Sequence, residues 1–255
     1  MTKEQADAHE LLRVEALACK QCALATTRTQ VVFSRGDPRS RLWLIGEAPG
    51  ADEDKQGQPF VGRAGQLLDK IMAAAQIEPN EVFITNTVLC RPPGNRVPTD
   101  EEIAACAVHR NGLLEIWNPP LVVLLGGTAA RVFLRAKTVG ELRGKFVEQD
   151  GRIYCPTFHP AYLLRDPNKK SLAWKDWQTI RDRFRQIQPE GNDAGSPALA
   201  LMPYLEGVVN TPQGPGRLVQ VFRESSAVVL DRDPSRVTRF PTSTLARLLE
   251  QRATG

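Results

Sequence analysis

Three short apolar runs, Leu42–Ile45, Val82–Ile84 and Leu121–Leu125, each give way at once to glycine or polar residues, and a fourth strand-like segment, roughly 152–157, runs into Phe158-His159-Pro160. Apolar runs of this length without polar alternation are how strands covered on both faces of a parallel sheet read. Segments with helical periodicity surround them: 4–18 before the first, then 64–76, one opened by Thr99, one from Thr128, and 171–186. Strands alternating with helices confine the chain to the α/β class. The expected architecture is a three-layer α/β/α sandwich on a four-stranded, mainly parallel sheet. Open sheets of this kind place their chemistry at the carboxyl ends of the strands. Glu47, Asn86 and His159 each stand at such an end, which directs them toward one edge of the sheet.

The first strand end carries the most unusual loop. Gly46-Glu47-Ala48-Pro49-Gly50 lets the backbone turn tightly and approach a ligand closely, and Glu53, Asp54 and Phe60 follow before a helix starts near Gly62. A purely structural loop rarely needs so many special residues, so this stretch reads as an active-site loop. After the second strand, Arg91-Pro92-Pro93-Gly94-Asn95-Arg96 is a rigid loop bearing two guanidiniums and an amide. Thr99 and Glu102 then form a T-x-x-E capping box, opening a helix expected to carry Cys106 on its second turn. The fourth strand ends in Phe158-His159-Pro160 and runs into Ala161–Arg165.

Five cysteines are present. Cys19 and Cys22 form a C-x-x-C pair, but a helix rather than a strand precedes it, which disfavours a thioredoxin-like dithiol. With Cys90 and Cys106 they make a set of four, able to hold zinc or an iron–sulfur cluster. The wide split of the second pair suits a bulky cluster better than a zinc ribbon. The plainer alternative is that Cys90 and Cys106 are buried core thiols. Cys155 lies within the fourth strand and reads as core.

With 42% apolar and 24% charged residues the chain is expected to fold rather than remain disordered. No apolar run is long enough for a membrane span, and MTKEQADAHE is no secretory signal, so a cytoplasmic protein without membrane contact is expected. The net charge of +4 permits an anionic partner without requiring one. Three divisions are expected: a catalytic domain over 1–188, a Gly/Pro/Asn/Ala-rich linker over 189–203, and a small β-rich module over 204–255 with a short terminal helix, STLARLLEQ. The module's short alternating runs loosely resemble SH3-like domains that dock a protein or nucleic-acid partner.

Taken together, GEAPGADEDKQGQPFVGRAGQLL, ITNTVLCRPPGNR, TFHPAYLLR and the four-cysteine spacing resemble the iron–sulfur class (family 4) of uracil-DNA glycosylases over roughly residues 15–185. The resemblance implies a [4Fe–4S] cluster on Cys19, Cys22, Cys90 and Cys106. It also implies hydrolysis of the bond between uracil and deoxyribose in single- or double-stranded DNA, by a monomer that extrudes the base. Under it, Phe60 stacks on the pyrimidine, Asn86 reads its O4 and N3 edge, and Glu53 crowds the C5 position. Glu47 and Asn95 position and polarise the attacking water, while His159 donates to O2 as a neutral imidazole. Leu163 or Leu164 fills the gap left in the stack, and Arg91, Arg96, Arg165 and Lys169–Lys170 hold phosphates. No lysine is placed for Schiff-base chemistry, so a monofunctional enzyme is expected. The rivals are a non-catalytic iron–sulfur DNA-binding module and a zinc protein.

Overall fold

The strands form because their residues are apolar on both faces. All five residues of β2 (Leu42–Gly46), β3 (Val82–Asn86) and β4 (Leu121–Leu125) are buried. With β6 (Arg152–Thr157) they pair in parallel in the order β3-β2-β4-β6. The sheet is larger than the expected four strands. Two edge strands, β1 (Arg35–Gly36) and β5 (Val147–Gln149), add antiparallel to β3 and β6, making a six-stranded mixed sheet of order β1-β3-β2-β4-β6-β5. Both edges are too short and too polar to leave an apolar run in the sequence, and edges of that kind discourage pairing with other chains.

Successive side chains of each strand enter two separate cores. Trp43, Ile45, Phe83, Val122 and Leu124 face one side, covered by α1 (Lys3–Ala18), α5 (Ala107–Trp117) and α6 (Gly127–Leu134) through Leu12, Ala16, Leu113, Leu114 and Ala129. Leu42, Leu44, Val82, Ile84, Leu121 and Val123 face the other, against Leu68 and Met72 of α3 (Arg63–Ala74) and Trp177, Ile180 and Phe184 of α9 (Lys170–Ile187). Shorter helices sit at the strand ends: α2 (Ala51–Gln56), α4 (Asp100–Ala105), α7 (Val139–Leu142) and α8 (Pro160–Arg165).

The capping box at Thr99 is present, with the Glu102 amide on Thr99 Oγ1 at 3.3 Å and the Thr99 amide on Glu102 Oε2 at 2.8 Å. The helix it opens does not carry Cys106 on its second turn, however. α4 stops at Ala105, and Cys106 is the junction residue from which α5 restarts.

This computed structural model describes residues 2–187 and four strand segments near the carboxyl end. The chain divides into two units, Met1–Ile187 and Gln188–Gly255. In the second, β7 (Val208–Thr211), β8 (Gly214–Gln220), β9 (Ser225–Leu230) and β10 (Val237–Pro241) form an antiparallel sheet in consecutive order. The expected linker over 189–203 and terminal helix over 243–251 lie outside the described residues. Among the described residues no helix is long and apolar enough to cross a membrane.

Candidate active site

Parallel register sets Gly46, the last residue of β2, opposite Asn86, the last of β3. The Thr87 amide and hydroxyl both donate to the Gly46 carbonyl, at 2.9 and 2.8 Å, which ties the two strand ends together. Gly46 has no alternative there: a Cβ would lie 2.6 Å from Phe60 Cζ and collide with Asn86 Oδ1. Phe60 itself has φ +56, a left-handed backbone that a bulky residue rarely adopts and that clusters at functional sites. Its ring lies 5.6 Å from that of His159, tilted by 32°.

Asn86 is 1% exposed, and its Oδ1 has no hydrogen-bond partner among the described residues. A buried acceptor left unpaired costs about 1–3 kcal/mol. It therefore points to a ligand that donates to it.

His159 follows β6 and caps α8, its Nδ1 accepting from the Ala161 amide at 3.1 Å. That bond places the ring proton on Nε2. Burial, reinforced by the charge of Arg165, pulls the imidazole pKa down to about 4, so the ring is a neutral N–H donor at pH 7. Gly126, at the end of β4 with φ +96, keeps a Cβ away from His159, where it would sit 2.9 Å from the histidine Cβ.

Glu47 accepts a short hydrogen bond on Oε2 from the Thr128 hydroxyl of α6. Asn95 closes a 3₁₀ turn over Pro93–Asn95 with φ +56, and its Oδ1 accepts from Arg91 Nε at 2.8 Å. Both carboxylate oxygens of Glu53 are occupied by backbone: Oε2 accepts from Gly50 at 3.0 Å, and Oε1 from Val61 at 3.0 Å and Gly62 at 2.9 Å. Glu53 thus braces the loop on which Phe60 rides.

Glu47, Glu53, Phe60, Asn86, Asn95 and His159 line one cleft of about 540 Å³, with Arg96 and Arg165 also on its wall. Arg96 is engaged by Glu102 through a two-pronged ion pair at 2.6 and 2.8 Å. Arg91 stands outside the cleft and reaches it through Asn95. Leu163 does not fit the role of a wedge: it is 1% exposed and packs with Phe158 and Ala173, whereas Leu164 is 37% exposed. The structure adds two residues to this set: Thr128, through its bond to Glu47, and Tyr162, on the cleft wall. For Thr128 the signal was there, since Gly126-Gly127-Thr128 ends the third parallel strand just as Gly46-Glu47 ends the first.

Behind His159 a buried network holds the end of β6. Arg143 grips Asp176 at 2.6 and 3.1 Å, Thr157 Oγ1 donates to the same carboxylate at 2.8 Å, and the guanidinium lies 5.2 Å over the Phe158 ring. Asp176→Ala is expected to lower unfolding free energy by about 2 kcal/mol, because Arg143, only 20% exposed, loses its counter-ion and Thr157 its buried acceptor. Urea denaturation checks this; a change under about 1 kcal/mol would mean the pair is not what anchors this end of the sheet.

Cys19, Cys22, Cys90 and Cys106 line a second, smaller pocket together with Arg28, Leu89 and His109. Arg28 Nη1 lies 3.1 Å from Cys90 Sγ while its Nη2 donates to the Cys19 carbonyl at 2.6 Å. Burial pushes the Cys106 thiol up to about 12 and raises Cys90, the latter opposed by Arg28. Among the described residues no group of three or more His, Cys, Asp or Glu is arranged to hold a metal ion. Cys155 is a fully buried core thiol on β6.

The family model of the uracil DNA glycosylase superfamily matches residues 33–180. The Type-4 uracil-DNA glycosylase of Thermotoga maritima is 43% identical over 160 residues, 62% of this chain and 83% of that protein. That of Sulfurisphaera tokodaii is 37% identical over 186 residues, 69% of this chain and 84% of the relative. A Type-5 uracil-DNA glycosylase from Thermus thermophilus is similar over a shorter stretch, 38% identical over 86 residues.

Proposed function

The chain belongs to the uracil DNA glycosylase superfamily, and on that premise we propose how its cleft excises uracil from DNA. The observation that carries the reading is the unpaired Asn86 Oδ1, buried in a cleft whose other walls are an aromatic ring and a neutral imidazole. Uracil offers an N3–H donor beside the O4 acceptor, the complement of a carboxamide.

The target nucleotide must leave the stack, because C1′ cannot be reached inside a duplex. Phe60 stacks on the extruded base, Asn86 Oδ1 accepts from N3–H, and the Asn86 amide donates to O4. His159 Nε2–H donates to O2. As the C1′–N1 bond breaks, its electron pair passes to uracil, and the anion that forms is stabilised at O2 by that donor. The sugar becomes oxocarbenium-like, and the Glu47 carboxylate, oriented by Thr128, stabilises it. Water, positioned by Glu47 and Asn95, attacks C1′ and loses a proton that in the net reaction neutralises the uracil anion, leaving uracil and an abasic site. Glu53 is a fixed wall beside C5, held by three backbone donors. Leu164 takes the wedge role, and Arg91, Arg96, Arg165 and Lys169–Lys170 hold phosphates. Among the described residues no lysine lines the cleft, which supports a monofunctional enzyme.

Four soft sulfur donors around one pocket, with an arginine on one of them, fit a [4Fe–4S] cluster held by Cys19, Cys22, Cys90 and Cys106. When bound, the cluster would cross-link the end of α1 to the loop after β3 and so steady the segment that presents Asn95. The enzyme acts as an intracellular, nucleoid-associated monomer on single- or double-stranded DNA, in three parts over 1–188, 189–203 and 204–255. The last is a docking module of the SH3-like kind for a protein or nucleic-acid partner, and its antiparallel sheet supports that reading.

Uracil release from a single-uracil oligonucleotide by the brown, iron-loaded protein tests the function. Absence of release from such protein would sink it. The low His159 pKa adds a pH signature. An unfolded histidine binds its proton near 6.5 and the folded one near 4, so between these values the unfolded state holds more protons. This contribution to stability is present above about 6.5 and is lost as pH falls toward 4. The acid limb of kcat/KM due to His159 is expected near 4; a limb near 6.5 that vanishes in His159→Gln would contradict the assignment.

A further inference from the structure

His109 has no part in the uracil chemistry, yet its placement calls for a partner. It sits on α5, 4% exposed, and neither Nδ1 nor Nε2 has a hydrogen-bond partner among the described residues. Buried imidazoles are normally tied down by at least one bond, because leaving the N–H unmet forfeits its hydration. The same residue lines the pocket bounded by Cys19, Cys22, Cys90 and Cys106. A cluster held by four thiolates is anionic, and its sulfurs accept hydrogen bonds.

We propose that His109 donates a ring N–H to a sulfur of the [4Fe–4S] group, as a positioning residue that retains the cluster and raises its reduction potential. The inference rests on the cluster reading above. An imidazole carries at least one ring N–H in either tautomer, so His109 has a proton to give. Arg28 already serves Cys90, so a His109 donor would be the second to meet charge on the sulfurs. A donor to sulfur stabilises the electron-richer state, hence the higher potential. It also slows oxidative and chelator-driven loss, as partners behind metal ligands commonly do.

The test uses the full-length, iron-loaded protein and the variants His109→Phe, which keeps a ring without a donor, and His109→Gln, which keeps a donor. His109→Phe is expected to show a lower reduction potential and roughly tenfold faster chelator-driven bleaching of the absorbance near about 400 nm, with uracil release unchanged while the cluster lasts. His109→Gln is expected to stay near wild type. Unchanged potential and lifetime in His109→Phe, or equal losses in both variants, would overturn the proposal. If His109→Phe does not fold with its cluster, wild-type protein labelled with nitrogen-15 histidine decides. A nitrogen coupling to the reduced cluster by pulsed EPR, absent in His109→Gln, supports the bond, and no coupling refutes it. Wild type without iron would instead remove the cluster reading itself, a result distinct from an iron-loaded wild type indifferent to His109.

Discussion

Replacing His159 with alanine is expected to reduce kcat for uracil release by about 10²–10³-fold, with KM little changed. Its Nε2–H is aimed by the bond from the Ala161 amide to Nδ1, and by the Phe60 ring packed against it. Charge accumulates on uracil O2 only as the glycosidic bond breaks, so a donor there acts on the transition state rather than on the bound base. The neutral ring matters too. An imidazolium would bind any anion, whereas an imidazole with its pKa near 4 is held ready without counter-ion or added solvent. The same substitution takes away the cap of α8, lowering stability by about 1 kcal/mol. Single-turnover kinetics separate the two effects. A rate loss under about threefold, or a change confined to KM, would show that His159 is only a helix cap.

Asn86→Leu is expected to lower kcat/KM by about 10²-fold or more while leaving thermal stability unchanged or slightly higher. Leucine is close in size to asparagine and keeps the packing beneath Phe60 and beside Gly46. It removes an acceptor that the folded protein buries without a partner, so the folded state loses no hydrogen bond through that oxygen. A uracil entering the cleft would then have its N3–H and O4 buried against methyl groups, and each unmet polar group is costly. The opposite directions of the two effects are the test. A structural asparagine would lose stability and spare turnover; one that reads the base loses turnover and spares stability. Thermal melts and oligonucleotide kinetics on one preparation distinguish these.

Much of this design is written locally. β2 and β4 are uninterrupted apolar segments, and such segments must be covered on both faces whatever the rest of the chain does. Glycines and polar residues at their ends mark where the backbone turns, and this placed Glu47, Asn86 and His159 along one edge. The short edges β1 and β5 were illegible because two or three polar residues carry no period. Leu163 and Leu164 are adjacent and alike in sequence, and only the packing of α8 against Phe158 and Ala173 buries one and leaves the other open. Cys106 reads as a residue within a helix, yet the restart of α5 makes it the junction residue on the thiol pocket.

The sequence by itself determined the class of fold, the strand ends and the kinds of groups gathered there, because these follow from short-range pattern and turn chemistry. Tertiary structure alone decided which atoms are free to act. Thr128 of α6 takes up Glu47, three backbone amides take up Glu53, and among the described residues nothing takes up Asn86 Oδ1 or the nitrogens of His109. The reason is physical. Hydrogen-bond partnership depends on the register between strands and the docking of helices distant in sequence, and neither distance is encoded in any local run of residues.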